Sequence, residues 1–274
     1  MNTPSSSTIT FIGGGNMASA ILGGLLNQGQ SAGSLQVIEP WDEQRARLLQ
    51  QFPGIHVVPQ AGPGLRPSAL VVWAVKPQTF KEAALASAPH LGTALHLSVA
   101  AGITSESIAT WLGTQRIVRA MPNTPALVGL GMTGLFARTG ATADDRAQVE
   151  TVIKTTGDLV WVDAEAQLDA VTALSGSGPA YVFYFLEAMR DAGARMGLTP
   201  EIAYRLALGT FVGASTLAQR SDDPPQVLRE RVTSKGGTTY AALTSMESAG
   251  VKAKFEEALF AAQKRAEELG REFG

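Results

Sequence analysis

The stretch GGGNMA, residues 13–18, limits what this chain can fold into more than any other. It follows TITFI (8–12), a run of β-formers. It opens a segment in which Met17, Ile21, Leu22 and Leu25 recur at helical spacing, and a second apolar run, LQVI (35–38), comes next. Strand, glycine turn, helix and strand in that order make a βαβ unit of the dinucleotide-binding kind. Gly13 provides the tight turn, Gly15 lets the backbone approach a pyrophosphate, and Ala18 allows close helix–strand packing. The amides at the helix start, those of Asn16 and Met17 included, then face the phosphates. The second strand ends at Glu39, where an acid hydrogen-bonds ribose hydroxyls and repels a 2′-phosphate, a lean toward NADH over NADPH. Arg45 and Arg47 lie close by, and a loop arginine is able to pair with a phosphate, so both cofactors stay open.

The alternation continues. HVV (56–58), ALVVWAV (69–75), LHLSV (95–99), RIVRAM (116–121), MTGLF (132–136) and LVWV (159–162) read as strands. Helical stretches such as SESIATWL (105–112) and ADDRAQVETVIKTTG (143–157) separate most of them. The pattern predicts a mainly parallel sheet with helices on both faces. After Asp163 strand signals vanish, and helices are expected near 164–174, 179–196, 200–219, 225–232, 238–249 and 252–269. The expected architecture is an α/β, Rossmann-type NAD(P)-binding domain over residues 1–163 and an all-helical domain over 164–274. Isolated helices of this length bury their apolar stripes only under a partner, so the second domain predicts a homodimer.

Composition narrows the function. Of the 274 residues 45% are hydrophobic, and the net charge is −2, which argues against binding along a nucleic-acid backbone. There are no cysteines, so thiolate and zinc–cysteine chemistry are excluded. Of the three histidines, His56 and His96 fall in strands and His90 in a turn, without metal-ligand spacing; no metal is expected. The N-terminus lacks a basic n-region, and the most apolar later run, PAYVFYFL (179–186), is too short to span a bilayer. A soluble, cytoplasmic protein is expected.

In open parallel sheets ligands lie beyond the carboxyl ends of the strands. Three unusual stretches fall there: AVKPQ (74–78), VAAGI (99–103) and MPNTP (121–125). Ala74, Val75, Lys76, Pro77, Ala100 and Asn123 are the candidate cofactor wall. Lys76 is placed to pair with a phosphate or ribose oxygen, and Asn123 to meet the nicotinamide amide.

A second glycine loop, TSKGGTT (233–239), precedes the expected helix at 238. GGGNMA, AVKPQ, RAMPNTPALVG, LSGSGPAYVF and TSKGGTT, in this order and over residues 8 to 269, resemble the pyrroline-5-carboxylate reductases. The resemblance implies reduction of the cyclic imine 1-pyrroline-5-carboxylate to L-proline with NADH or NADPH, the last step of proline biosynthesis. It also implies an interlocked dimer, assembled into a higher ring. Two departures stand out: Glu39 where relatives commonly carry a small polar residue, and Lys235 where many carry proline. The substrate carboxylate is expected at Ser234, Gly236, Gly237, Thr238 and Thr239, with Ser177 of SGSGP beside the cleft. Thr239 is the candidate catalytic residue, a hydroxyl that polarises the ring nitrogen or relays a proton. Two other readings remain: a related β-hydroxyacid dehydrogenase, for which Lys235 would be the acid–base lysine, and a catalytically silent nucleotide-binding protein.

Overall fold

The computed structural model describes residues 8–273. Among the described residues eight strands form: β1 (Ile9–Ile12), β2 (Leu35–Ile38), β3 (His56–Val58), β4 (Leu70–Trp73), β5 (Leu95–Ser98), β6 (Ile117–Met121), β7 (Gly131–Ala137) and β8 (Gly157–Trp161). Five helices lie among them: α1 (Asn16–Asn27), α2 (Asp42–Gln51), α3 (Pro77–Ser87), α4 (Ser105–Leu112) and α5 (Ala143–Ile153). Six follow: α6 (Gln167–Val171), α7 (Gly178–Arg195), α8 (Pro200–Gln219), α9 (Pro225–Arg231), α10 (Thr238–Ser248) and α11 (Val251–Phe273). A five-residue π-turn, Thr172–Gly176, sits between α6 and α7.

The strands form one sheet in the order β3-β2-β1-β4-β5-β6-β7-β8. All neighbours are parallel except β6 and β7, which are antiparallel. The order reverses at β1, so the carboxyl ends of β1 and β4 flank a topological switch point, the place where such sheets bind ligands. The fold expected from the sequence, a Rossmann-type domain followed by an all-helical one, is what the chain forms.

Period-two alternation divides the apolar residues between the two faces. Ile9, Phe11, Leu70 and Val72 face a core completed by Ala18, Ile21, Leu22 and Leu25 of α1, Leu48 of α2 and Val149, Val152 and Ile153 of α5. Ile12, Val71 and Trp73 face the other, with Phe80 and Ala84 of α3 and Ile108 and Ala109 of α4. Most of these side chains are fully buried, and each is worth about 1.5–3 kcal/mol relative to exposure.

Two compact units emerge from the contacts. One contains the chain up to Ser177 and the stretch from Ala262 onward; the other is Gly178–Ala261. The first holds the sheet and both cores. Within it the last part of α11 packs on the 99–103 turn: a Cβ on Gly102, at φ +72, would stand 3.2 Å from Leu269 Cβ. The second unit is helical and nearly coreless. Within it α7 buries Leu186 and Gly193, α8 buries Ala203 and Ala207, and α9 and α10 bury nothing.

His96 is a core histidine, as expected for a strand position. Its Nδ1 accepts the indole N–H of Trp73 at 3.1 Å, and it is 3% exposed. Burial, with the Arg116 charge adding to it, lowers its pKa from 6.5 to about 4. The unfolded chain therefore takes up a proton as pH falls through 6.5 while the folded chain resists until about 4. Stability is fully present above pH 6.5 and falls on acidification, by about 2 kcal/mol between pH 7 and 5. Urea unfolding should show a lower midpoint at pH 5 than at pH 7, and His96→Leu should flatten that difference; equal wild-type midpoints would contradict the assignment.

Candidate active site

The first loop is built by contacts that make it rigid and leave one opening. Gly13 sits at φ +90, and its N–H donates to Ile38 O at 2.8 Å, tying the turn to the end of β2. A Cβ there would meet Ala74 O at 2.7 Å and Val75 Cγ1 at 2.9 Å, so Ala74 and Val75 wall the turn from the end of β4. Gly14 is held at both ends: its N–H donates to Glu39 Oε2 at 2.9 Å, and its carbonyl accepts Gln44 Nε2 at 2.6 Å. Gly15, exposed and extended, is the N-cap of α1 and has nothing within 4 Å of a built Cβ. No side chain caps this helix, and no acid lies in its first turn. The first i to i−4 bond is Ser19 N–H to Gly15 O, so the amides of Asn16, Met17 and Ala18 precede the ladder. Met17 is half-buried and Ala18 fully buried against the strands. Open space before uncapped amides at a positive helix end fits a pyrophosphate. A dinucleotide bound there would be held by Gly13, Gly15, Asn16 and Met17.

Glu39, the candidate ribose-binding acid, is engaged inside the loop. It is 7% exposed, and its second oxygen accepts Trp41 N–H at 3.0 Å. The acid at the end of β2 thus braces the glycine loop. Arg45, a candidate phosphate partner by sequence, is committed: it donates to Glu39 O at 3.0 Å and Pro40 O at 2.7 Å and pairs with Asp42. Arg47 pairs with Glu43 at 3.7 Å on the surface.

The rest of the wall divides in two. Lys76 is exposed at the N-cap of α3, with Pro77 at the first helical position, and forms no ion pair among the described residues. Ala100 is 6% exposed and packs into the second core. Asn123 is engaged internally. It donates from Nδ2 to Ser175 O at 3.0 Å and accepts Met132 N–H at Oδ1, 2.9 Å away. That side chain clips the 121–125 loop to the π-turn and to β7. Ser177 is half-buried just past the π-turn, its N–H bonded to Thr172 O at 2.8 Å.

Sequence reasoning missed Gln44, Trp41 and a half-buried charge cluster. Glu165 accepts Ser105 N–H at 2.6 Å, Ser105 Oγ at 2.5 Å and Arg119 at 2.7 Å. Burial raises its pKa, but these bonds outweigh it and hold the carboxyl below the usual range. One carboxylate thereby joins the middle of β6, the start of α4 and the approach to the π-turn. Its partners lie 46 and 60 residues away, so no local pattern gives it away.

In the helical unit the loop TSKGGTT forms a second glycine-capped start. Gly236 takes φ +76, and Gly237 is the N-cap of α10 with no side-chain cap and its N–H on Ser234 O at 3.0 Å. A Cβ on Gly237 would stand 2.7 Å from Ser234 Oγ. The first ladder bond is Ala241 N–H to Gly237 O, so the amides of Thr238, Thr239 and Tyr240 precede it. Ser234, Lys235, Gly236, Thr238 and Thr239 are exposed.

Comparison with known proteins decides the family. A Pseudomonas aeruginosa pyrroline-5-carboxylate reductase is 45% identical over all of both chains. The chain belongs to the pyrroline-5-carboxylate reductase family. A reductase structure from Coxiella burnetii superposes with a TM-score of 0.90 at 38% identity, covering 97% of this chain and 99% of that one. The Plasmodium falciparum pyrroline carboxylate reductase with NADP bound gives 0.84 at 29% identity, over 96% and 98%. The family model for pyrroline-5-carboxylate reductase dimerisation matches residues 165–269, and that for NADP oxidoreductase, coenzyme F420-dependent, matches residues 8–102. The membership favours imine reduction over the hydroxyacid and silent-binder readings, and it makes the chain a nicotinamide-dependent oxidoreductase of the proline-biosynthetic kind. No described helix is long and apolar enough to cross a membrane.

The two glycines of the first loop should respond differently to alanine. Gly13→Ala forces a side chain into left-handed backbone, about 1–2 kcal/mol before the clash with Ala74 O, and should lower the melting temperature. Gly15→Ala fits the backbone and the space, so it should melt like wild type while weakening NADH binding at least about tenfold, through blocked approach of the phosphates. Melting curves and calorimetric titration read both; a Gly15→Ala protein with wild-type NADH affinity would contradict the cradle.

Proposed function

We infer that this protein reduces 1-pyrroline-5-carboxylate to L-proline by hydride transfer from a nicotinamide cofactor, in two glycine-capped anion cradles, one for each reactant. The observation that carries the reading is the whole-length match to a reductase at 45% identity, supported by two glycine-capped helix starts without side-chain caps. The bound cofactor supplies a hydride. The chain's residues bind and orient. At α10 the amides of residues 238–240, the dipole of an eleven-residue helix and the hydroxyls of Ser234, Thr238 and Thr239 suit a carboxylate. A protonated cyclic imine is already electrophilic at its C=N carbon, so orientation does most of the work. With a hydride from the cofactor on that carbon, the C=N electron pair would pass to the protonated nitrogen, which would become the amine of proline. Thr239 is assigned the hydroxyl beside that nitrogen, Ser177 a supporting contact, and Asn123 the clip that holds the 121–125 loop in place. The functional division is retained at 163/164, and the protein is assigned to the cytoplasm.

The acids at the end of β2 favour NADH. A 2′-phosphate would meet Glu39, Asp42 and Glu43 at this corner, while Arg45 is committed to that loop and Arg47 is paired. Glu39→Gln removes the charge and keeps one acceptor oxygen. It should shift the kcat/KM ratio of NADH to NADPH at least about tenfold toward NADPH, equivalent to about 1.4 kcal/mol. An unchanged ratio would remove Glu39 from specificity.

A second copy of the chain covers the helical unit. Phe183, Tyr184, Leu206, Val212 and Phe260 are 58–69% exposed there, and α9 and α10 have no buried residue. Rings of such dimers are the proposed assembly. Sedimentation at micromolar concentration should show at least twice the 28.7 kDa chain mass, and a stable monomer would refute the interface.

The direct assay follows NADH oxidation with 1-pyrroline-5-carboxylate. Thr239→Ala should cut kcat/KM at least about tenfold, with Thr239→Ser recovering most of it. A variant with unchanged kcat and KM would remove Thr239 from the chemistry. Replacing Lys235 by proline should leave an imine reductase active.

A further inference from the structure

We propose that Trp41 is the stacking platform for the adenine of the bound dinucleotide. The inference rests on the cofactor reading above and deepens it. Trp41 is 74% exposed; Trp73 is fully buried, and Trp111 and Trp161 are half-buried. The indole of Trp41 has no ring or cation contact among the described residues.

Its backbone, by contrast, is held on every side. Trp41 N–H donates to Glu39 Oε1 at 3.0 Å, and Trp41 O accepts Arg45 N–H at 2.9 Å. The Arg45 guanidinium grips the two preceding carbonyls, those of Glu39 and Pro40. The other oxygen of Glu39 holds Gly14 in the phosphate loop. One carboxylate therefore links the pyrophosphate cradle and the backbone that carries the indole. A large aromatic displayed on a rigid turn at the carboxyl end of β2 presents a preorganised apolar face two residues past the ribose position. A purine has the π-face to cover it, and base–aromatic stacking is sequence-independent chemistry of useful strength.

The test uses the full-length protein with NADH and with ADP-ribose, which keeps the adenosine and lacks the nicotinamide. Trp41→Ala should weaken both ligands by the same factor, about 5- to 50-fold by calorimetry. The melting temperature should stay at the wild-type value, and Trp41→Phe should restore most of the affinity. Unchanged affinity in Trp41→Ala overturns the proposal. So does a loss for NADH without one for ADP-ribose, or a change in sedimentation with binding intact, which would make Trp41 a contact between copies of the chain. Wild-type protein that binds neither ligand would instead overturn the cofactor reading on which the proposal rests.

Discussion

Helix starts without side-chain caps are the constraint on which the functional structure depends. No side chain caps α2, α3, α6 or α9 either, but at three helices threonines satisfy the first amides: Thr104 caps α4, Thr142 closes a capping box with Asp145 on α5, and Thr199 caps α8. Such a cap is worth about 1 kcal/mol. At α1 and α10 the cap is glycine, and that stabilisation is forgone. Backbone donors left bare at the positive end of a helix cost something in the free protein and repay it when an anion arrives. Two such ends suit the proposed reaction between a dinucleotide and an amino-acid-like imine, both negatively charged.

The surrounding structure keeps those ends open and in place. Around α1 the work is done by hydrogen bonds over moderate distances: Glu39 and Gln44 on Gly14, and Ile38 O on Gly13. Around the sheet edge it is done by Asn123 and by the Glu165 cluster, which draw the 121–125 loop, α4 and the π-turn together. These are positioning interactions, and a displacement of about 1 Å in a reacting geometry costs rate even where no contact to a reactant is lost.

Much of this was legible in the sequence for identifiable reasons. β2 and β3 are bounded where their apolar runs end, and α8 runs from the proline after Thr199 to Gln219, because caps and periodicity are local signals. The termini of β4 and β8 differ by a few residues, because backbone pairing decides strand ends: the apolar run overshoots β4 at both ends, while β8 starts at Gly157, ahead of its run. The reversal of β7 relative to β6 had no local mark. Asn123 shows the limit for sites. Its loop stood out by its prolines, yet the partners of its side chain, Ser175 and Met132, are set by folding. Glu39 shows the same: its position was plain, and its double grip on Gly14 and Trp41 was not.

The most direct measurement of the two-cradle account is a crystal structure of the protein with oxidised cofactor and L-proline. The account predicts the pyrophosphate before Gly15 and the proline carboxylate at about 3 Å from the amides of residues 238–240. A carboxylate bound elsewhere, with water on those amides, would contradict it.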